Sequence, residues 1–526
     1  MSTARRARRD VSGYDDPAAR VTGDPLGSKT NTAPPSSRCL EVLIVAINQA
    51  SDSRQWYTAT KELQLASLQL CEACRSAHAV RMRVDAKTPA SLLAAVDAPD
   101  ASCGRGDCTR VPRLRVDRVT WKLPSIDLLS NSVDAFAGVE EVSFDMSFDD
   151  SLGLRAWPCR LRSIKFGARS RFNQPILGIV WPPSLRELRF GRDFNQSIEG
   201  VTWPTSLQQL TFGRNFNQPI ERVAWPTSLQ RLTFCLAFDQ AIEKAKWPES
   251  LQELDLGPNF DQPVERVGWP SSLQSLAFWG RFNQPINGVE LPASLLQLTL
   301  WGRFNQPIEG VTWPTSLRKL AFGPCFNQPI DGFTWPSSLQ ELSFGETVNQ
   351  PSERVWWLTS MQNVPEGGFN QPIDRVTWPS SLRRLRFGPD FDQPVEGVAW
   401  PTFLQQLSFG DKFNQSIHEV TWPPSLEELR LGKDFDKPLQ KARWPSLRQL
   451  LLRGNFSQSL QNLGTAMPSL ERLTLELAIW YRPSTVLREV QWPAGLSNLT
   501  VGGNVCLEGI SIPPSVTIVD QNGGGW

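Results

Sequence analysis

The chain has 526 residues, with 54 basic and 53 acidic side chains and 40% hydrophobic residues. A single hydrophobic core stops growing well short of this length, so the chain holds either several domains or one elongated repeat array. Near-neutral charge excludes a global field favouring nucleic acid or an anionic membrane and makes a protein partner the default; 42 Pro, 21 Trp and 27 Phe against 3 Tyr and 2 His indicate one short unit copied many times.

In chain order, residues 1–37 are rich in Arg, Asp, Pro, Ser and Thr and have the composition of a disordered basic and polar tail. Arg5, Arg6, Arg8 and Arg9 read as part of that tail rather than as a nuclear localisation signal or transit peptide. The stretch from Gly23 to Thr30 contains Gly-Ser-Lys-Thr but lacks the two-glycine spacing that lets backbone amides cradle phosphate, so nucleotide binding is not expected. No apolar run follows the opening arginines, and the most apolar stretch, Leu40 to Ile47, falls short of the roughly 20 residues that span a bilayer.

Residues 38–113 differ in character. Leu63, Leu70, Ala73 and Cys74 fit one helical face, and Thr88 before Pro89 is a helix start for Ser91 to Val96, which predicts a small helical cap. Cys71, Cys74, His78, Cys103 and Cys108 offer zinc-like ligand types, but the spacing is unusual and a Cys-x-x-Cys within a helix reads as buried thiols, so no metal or other cofactor is assigned. Nine scattered cysteines with no secretion signal predict reduced thiols in a soluble cytoplasmic, alternatively nuclear, protein.

From residue 114 to 520 a period takes over. Phe172, Phe194, Phe216, Phe238, Phe260, Phe282, Phe304 and Phe326 recur every 22 residues, and Phe369, Phe391, Phe413 and Phe435 resume the spacing. Each opens one phrase, as in Phe304-Asn305-Gln306-Pro307-Ile308, then Val311, Trp313-Pro314, Ser316-Leu317, Leu320, Phe322 and Gly323. Leu-x-x-Leu-x-Phe resembles the strand of leucine-rich repeats, placing Leu317, Leu320 and Phe322 inside. Trp-Pro before the strand fixes extended backbone, Gly after it permits a turn, and the proline in Phe-Asn-Gln-Pro-Ile excludes a helix interior, leaving turns and extended chain for the return path. The fold expected is a repeat solenoid of about 15 coils with one continuous parallel β-sheet and ladders of identical side chains. The Asn ladder, with Asp at positions 239, 261, 392 and 436, is expected to bond the turn backbone of neighbouring coils.

On Phe-Asn-Gln-Pro-Ile, Pro-x-Ser-Leu and Leu-x-Phe-Gly at fixed offsets, the chain resembles the FNIP repeats, 22-residue relatives of leucine-rich repeats. It departs in having mostly Trp before the second proline, where the family has Leu or Ile. The resemblance implies a leucine-rich-repeat-like solenoid with a protein-interaction role and brings no catalytic residues.

The pattern decays toward both ends, as capping coils require. Phe148, Trp157-Pro158, Leu161, Ile164 and Phe166 form one copy near the start; Leu470, Leu473 and Leu475, then Trp492-Pro493, then Pro513-Pro514-Ser515-Val516 continue it with altered spacing before a flexible tail, 521–526. One internal copy, residues 348–368, is damaged: Val348 replaces the ladder Phe, Leu358 the Pro and Met361 the first strand Leu, and Glu366 falls on an inward position. That coil is expected to bulge or turn Glu366 outward and to act as a hinge.

Chemistry has little raw material here. His418-Glu419 lacks the second histidine of a zinc-hydrolase motif, and two histidines in the whole chain leave almost nothing for a Ser-His-Asp site, so no enzyme is expected. Sequons at Asn195, Asn414, Asn455 and Asn498 read as accidents of the repeat.

What varies between copies is the outward set in Leu-x-x-Leu-x-Phe, including Arg186, Glu187 and Arg189; Arg318, Lys319 and Ala321; and Arg383, Arg384 and Arg386. Variation there costs no core packing, so these positions suit a binding face for a protein partner; a merely soluble sheet face is the bland alternative. A nucleic-acid face using the same arginines is the second reading, opposed by neighbours such as Glu427 and Glu428, and a metal-binding or enzymatic cap is the third. Trp279 and Trp301, one period apart and each followed by Gly-Arg, are either interface anchors at the sheet rim or extra core folded over the coil edge.

Overall fold

The computed structural model describes residues 138–153, 157–332, 334–345, 368–439, 443–477, 486–503, 507 and 509–520, and the backbone of strands at 80–84 and 116–121. The chain divides into units Met1–Ser76 and Ala77–Trp526, and every described residue lies in the second.

Each coil is built from three tight turns and one short strand, and the sequence dictates each of them. In Pro314-Thr315-Ser316-Leu317 the Leu317 N–H donates to the Pro314 carbonyl at 3.1 Å, a turn that Pro favours and that delivers the chain into its strand. After the strand, Phe326 N–H donates to Gly323 O at 3.2 Å; after the Phe-Asn-Gln-Pro-Ile segment, Val311 N–H donates to Ile308 O at 3.3 Å, with Gly310 at φ +77°. The glycines at the strand exit are fixed by close approach instead. A Cβ on Gly410 would lie 1.8 Å from the Gly388 carbonyl oxygen, so successive corners stack backbone on backbone.

The strands are β1 (Val80–Val84), β2 (Val116–Trp121), β3 (Glu141–Phe144), β4 (Ser163–Phe166), β5 (Glu187–Arg189), β6 (Gln209–Thr211) and β7 (Arg231–Thr233). There follow β8 (Glu253–Asp255), β9 (Ser275–Phe278), β10 (Gln297–Leu300), β11 (Lys319–Phe322), β12 (Glu341–Phe344) and β13 (Arg384–Arg386). The series ends with β14 (Gln406–Ser408), β15 (Glu428–Leu431), β16 (Gln449–Gly454), β17 (Arg472–Leu477), β18 (Asn498–Gly503) and β19 (Thr517–Asp520). All belong to one 19-stranded sheet in which every strand pairs in parallel with the next in sequence. Register aligns equivalent residues, as in Leu276, Leu298, Leu320 and Leu342.

Alternation then fixes the core. Leu320 and Phe322 point inward with Leu317 and are buried, and the rings form two interleaved columns. Phe304 stacks on Phe326 at 6.1 Å along one column, and Phe322 on Phe344 at 5.6 Å along the other; Phe322 meets Phe326 across them at 4.1 Å. The tryptophans form a third column, Trp181 to Trp203 at 6.3 Å and Trp400 to Trp422 at 6.0 Å. Each coil buries its rings only against its neighbours, so cohesion is nearest-neighbour throughout.

One expectation needs correction. The helical cap is not supported: β1 lies inside 38–113 and pairs with β2, and the single helix among the described residues is the short α1 (Leu463–Ala466). Val80-Arg81-Met82-Arg83-Val84 alternates apolar and charged residues with a period of two, a strand signal that the search for a helical face passed over. Leu63, Leu70 and Ser91 to Val96 lie outside the described residues.

Around the damaged copy, β12 pairs directly with β13, Phe326 stacks on Phe369 at 6.3 Å, and Phe344 stacks on Phe387 at 6.0 Å. The strands and rings on either side of residues 346–367 therefore contact one another at the ordinary repeat distance. The expected bulge and hinge, with Val348, Leu358, Met361 and Glu366, lie outside the described residues.

Candidate functional site: the outward face of the sheet

Two hydrogen-bond ladders hold the sheet's frame. In the first, Asn305 N–H donates to Asn283 Oδ1 and Asn327 N–H to Asn305 Oδ1, both at 2.9 Å, and Gln328 Nε2 also donates to Asn305 Oδ1 at 3.1 Å. Asp239, Asp261, Asp392 and Asp436 substitute freely because the position only accepts. The second ladder went unnoticed in the sequence although Pro-x-Ser-Leu was in view. Ser184, Ser206, Ser228, Ser250, Ser272, Ser294, Ser316, Ser338, Ser381 and Ser425 each donate Oγ–H to a core Leu carbonyl of the coil before, at 2.6–2.8 Å.

At position 403 this serine is replaced. Phe403 stands between Ser381 and Ser425 in the column and is 57% exposed, whereas the other phenylalanines of the array among the described residues are buried.

The outward residues are polar and cross-linked by ion pairs between adjacent strands. Lys165 on β4 lies 3.3 Å from Glu141 on β3 and 3.0 Å from Glu187 on β5. Partial burial works against its charge, but the two carboxylates outweigh this and hold its pKa above the ordinary lysine value. Arg231 pairs with Glu253 at 3.0 Å and Arg448 with Glu471 at 2.6 Å. Such exposed pairs contribute about 0 to 1 kcal/mol each, so they set register and charge pattern more than stability.

The sequence-named residues fall in two places. Arg186 is exposed where the chain enters β5, and Arg189 ends that strand. Arg318 and Lys319 lie at the start of β11; Arg383, Arg384 and Arg386 lie at β13. Because β12 pairs with both β11 and β13, those two strands are separated by β12 alone. The carboxylate on the outward face of β12 is Glu341, which pairs with Lys319 at 3.3 Å and with Arg384.

Trp279 and Trp301 are packed in. Both are 5% exposed, with ring centroids 6.4 Å apart and planes tilted by 54°. Of their two sequence readings, the geometry fits core folded over the coil edge. His418 lies in the turn after the Phe413–Ile417 segment, its Nε2 3.3 Å from Glu419 and its Nδ1 4.0 Å from Glu396; the carboxylates address opposite ring nitrogens. Cys71, Cys74, His78, Cys103 and Cys108 lie outside the described residues. No helix among the described residues is long and apolar enough to cross a membrane.

Comparison with known proteins gives a consistent picture of the fold. The FNIP Repeat family matches residues 194–236, 238–280, 282–323, 304–347, 369–412 and 413–452. No curated protein matches the chain. Among solved structures, CroV588, described as a novel circular LRR protein, is 27% identical with a TM-score of 0.55, covering 75% of this chain and 67% of its own. The Toll–Spatzle complex of Drosophila is similar at 11% identity and a TM-score of 0.41, covering 74% of this chain and 60% of that one. The TLR13–ssRNA13 complex is similar at 14% identity and a TM-score of 0.41, covering 74% and 64%.

Proposed function

The FNIP Repeat model matches between residues 194 and 452, and from that premise we propose that the chain is a non-catalytic scaffold that binds another protein through the outward face of its sheet. The observation that carries this reading is the contrast between columns. Inward positions hold Leu and Phe from coil to coil, while the outward positions of successive strands run from Gln208, Gln209 and Thr211 to Arg383, Arg384 and Arg386 to Glu427, Glu428 and Arg430. A face that the frame leaves free to vary can acquire specificity without disturbing the fold.

Cross-linking of the full chain in its native extract, with mass spectrometry of the linked peptides, tests this. The expected result is one protein linked repeatedly to residues on or beside the strands, for instance Lys319 on β11. Links confined to the turns on the far side of the coils would overturn it.

A further inference from the structure

We propose that the sheet face from β11 to β14 binds an acidic peptide segment carrying one aromatic or aliphatic residue; the inference rests on the scaffold reading and gives that face a ligand class. Two independent observations meet there. The first is charge: among the described residues Arg318, Lys319, Arg383, Arg384 and Arg386 flank β12, whose outward carboxylate, Glu341, pairs with Lys319 and Arg384. In sequence the two basic groups stand three periods apart, and they come together because β12 pairs directly with β13. On either side the face is uncharged, with Leu296, Gln297 and Thr299 at β10 and Gln405, Gln406 and Ser408 at β14.

The second observation is Phe403. Its coil lies against the arginine coil, the Gln405 N–H donating to the Arg383 carbonyl at 2.8 Å, which places the exposed Phe403 two residues before the neighbour of Arg383. A serine there would add a hydrogen bond to the frame, as it does in ten other coils; the phenylalanine gives that up and puts an apolar ring in water. An exposed aromatic beside desolvatable arginines has the makeup of an interface anchor.

Geometry sets the ligand's spacing. Strands about 4.8 Å apart put β11 roughly 10 Å from β13 and 15 Å from β14, which an extended peptide at about 3.3 Å per residue crosses in three to five residues. The ligand therefore presents acidic residues three to five positions from its apolar one. A polynucleotide is disfavoured because its phosphates continue past the patch, on one side toward Glu427 and Glu428, where Arg430 is already paired with Glu428.

The test is a phage-displayed library of random 12-residue peptides selected on the full-length chain at physiological salt, with the recovered peptides synthesised and their Kd measured. Acidic peptides with an aromatic or aliphatic residue at that spacing are expected. Phe403→Ser and, separately, Arg318→Glu with Arg383→Glu should each weaken them about tenfold or more, while Arg222→Glu, in a turn outside the outward strand positions, leaves them unchanged. Phe403→Ser restores the residue of the other coils, so its unfolding midpoint should hold or rise and loss of binding cannot be blamed on misfolding. Peptides whose affinity ignores these substitutions but falls with changes at other strands would overturn this site and leave the scaffold reading standing. Recovery of no binder to any part of the sheet would overturn both. The site is also lost if a mixed-sequence 20-nucleotide RNA binds the patch and acidic peptides do not, or if Arg383→Glu dissolves a dimer of the chain without affecting any peptide.

Discussion

Asn305 carries an acceptor role that the side chain's size and charge hardly affect. Its Oδ1 takes both the Asn327 N–H and the Gln328 side-chain N–H, and four coils use Asp for the same task. Asn305→Asp should leave stability nearly unchanged, while Asn305→Ala strands a part-buried backbone donor and should cost about 1 to 3 kcal/mol in denaturant unfolding. Asp390 is a case where charge does matter. Burial raises its pKa, but hydrogen bonds from Lys412 and the Gly368 N–H, with the Lys412 charge, outweigh burial and hold the carboxyl below the ordinary value. Lys412 Nζ is 2.6 Å from Oδ1, and the Gly368 N–H, where the chain re-enters the stack, donates to Oδ2 at 2.8 Å. A depressed native pKa means that this stabilisation is present above the unfolded carboxyl pKa of about 3.9 and is lost as pH falls through the native one. Asp390→Asn should therefore unfold more easily than the parent at pH 7, and the gap should close between pH 4 and 2 in a urea series. These ladder roles were legible in the sequence where a residue repeated at a fixed offset, as Asn does. The serine column repeats as faithfully, but Pro-x-Ser-Leu contains no acceptor for its hydroxyl; only the neighbouring coil supplies the Leu carbonyl.

At the level of the coil, strand and turn positions follow from local chemistry, which is why Leu-x-x-Leu-x-Phe located β5 through β15 while β1 escaped. β1 lacks the flanking Trp-Pro and Gly that punctuate the others, and its five residues carry only their alternation. Trp279 and Trp301 mark the limit of such reading, since composition suits an anchor and a core ring equally and only exposure separates them. Each ring is buried at the strand exit of its own coil. Trp279→Ala and Trp301→Ala should each cost about 3 kcal/mol or more, seen as an early unfolding transition, because they open a cavity that stacked backbone cannot close. Stability close to that of the parent in both variants would return the rings to the surface role.

Across the whole array, stability is a sum of nearest-neighbour interfaces, so the number of coils matters less than whether each meets a partner with the same columns. Residues 346–367 test that rule, because the coils on either side already meet. Phe322 and Phe326 are four residues apart across a normal corner; Phe344 and Phe369 span the same corner of the stack through the added copy. Deleting residues 347–367 restores the four-residue spacing and leaves Gly345 and Gly368 at their present places in the corner. Their surroundings are local: Gly345 lies against Gly388, and Gly368 against the Pro324 carbonyl and Asp390. Closing a shorter loop lowers the entropy cost slightly, by about 0.6 kcal/mol for each halving of length. The shortened chain should keep the circular dichroism of the parent and unfold at the same temperature or a few degrees higher. A broad, early transition in its place would mean that the damaged copy shields the corner between β12 and β13, and that this junction depends on residues outside the ladder.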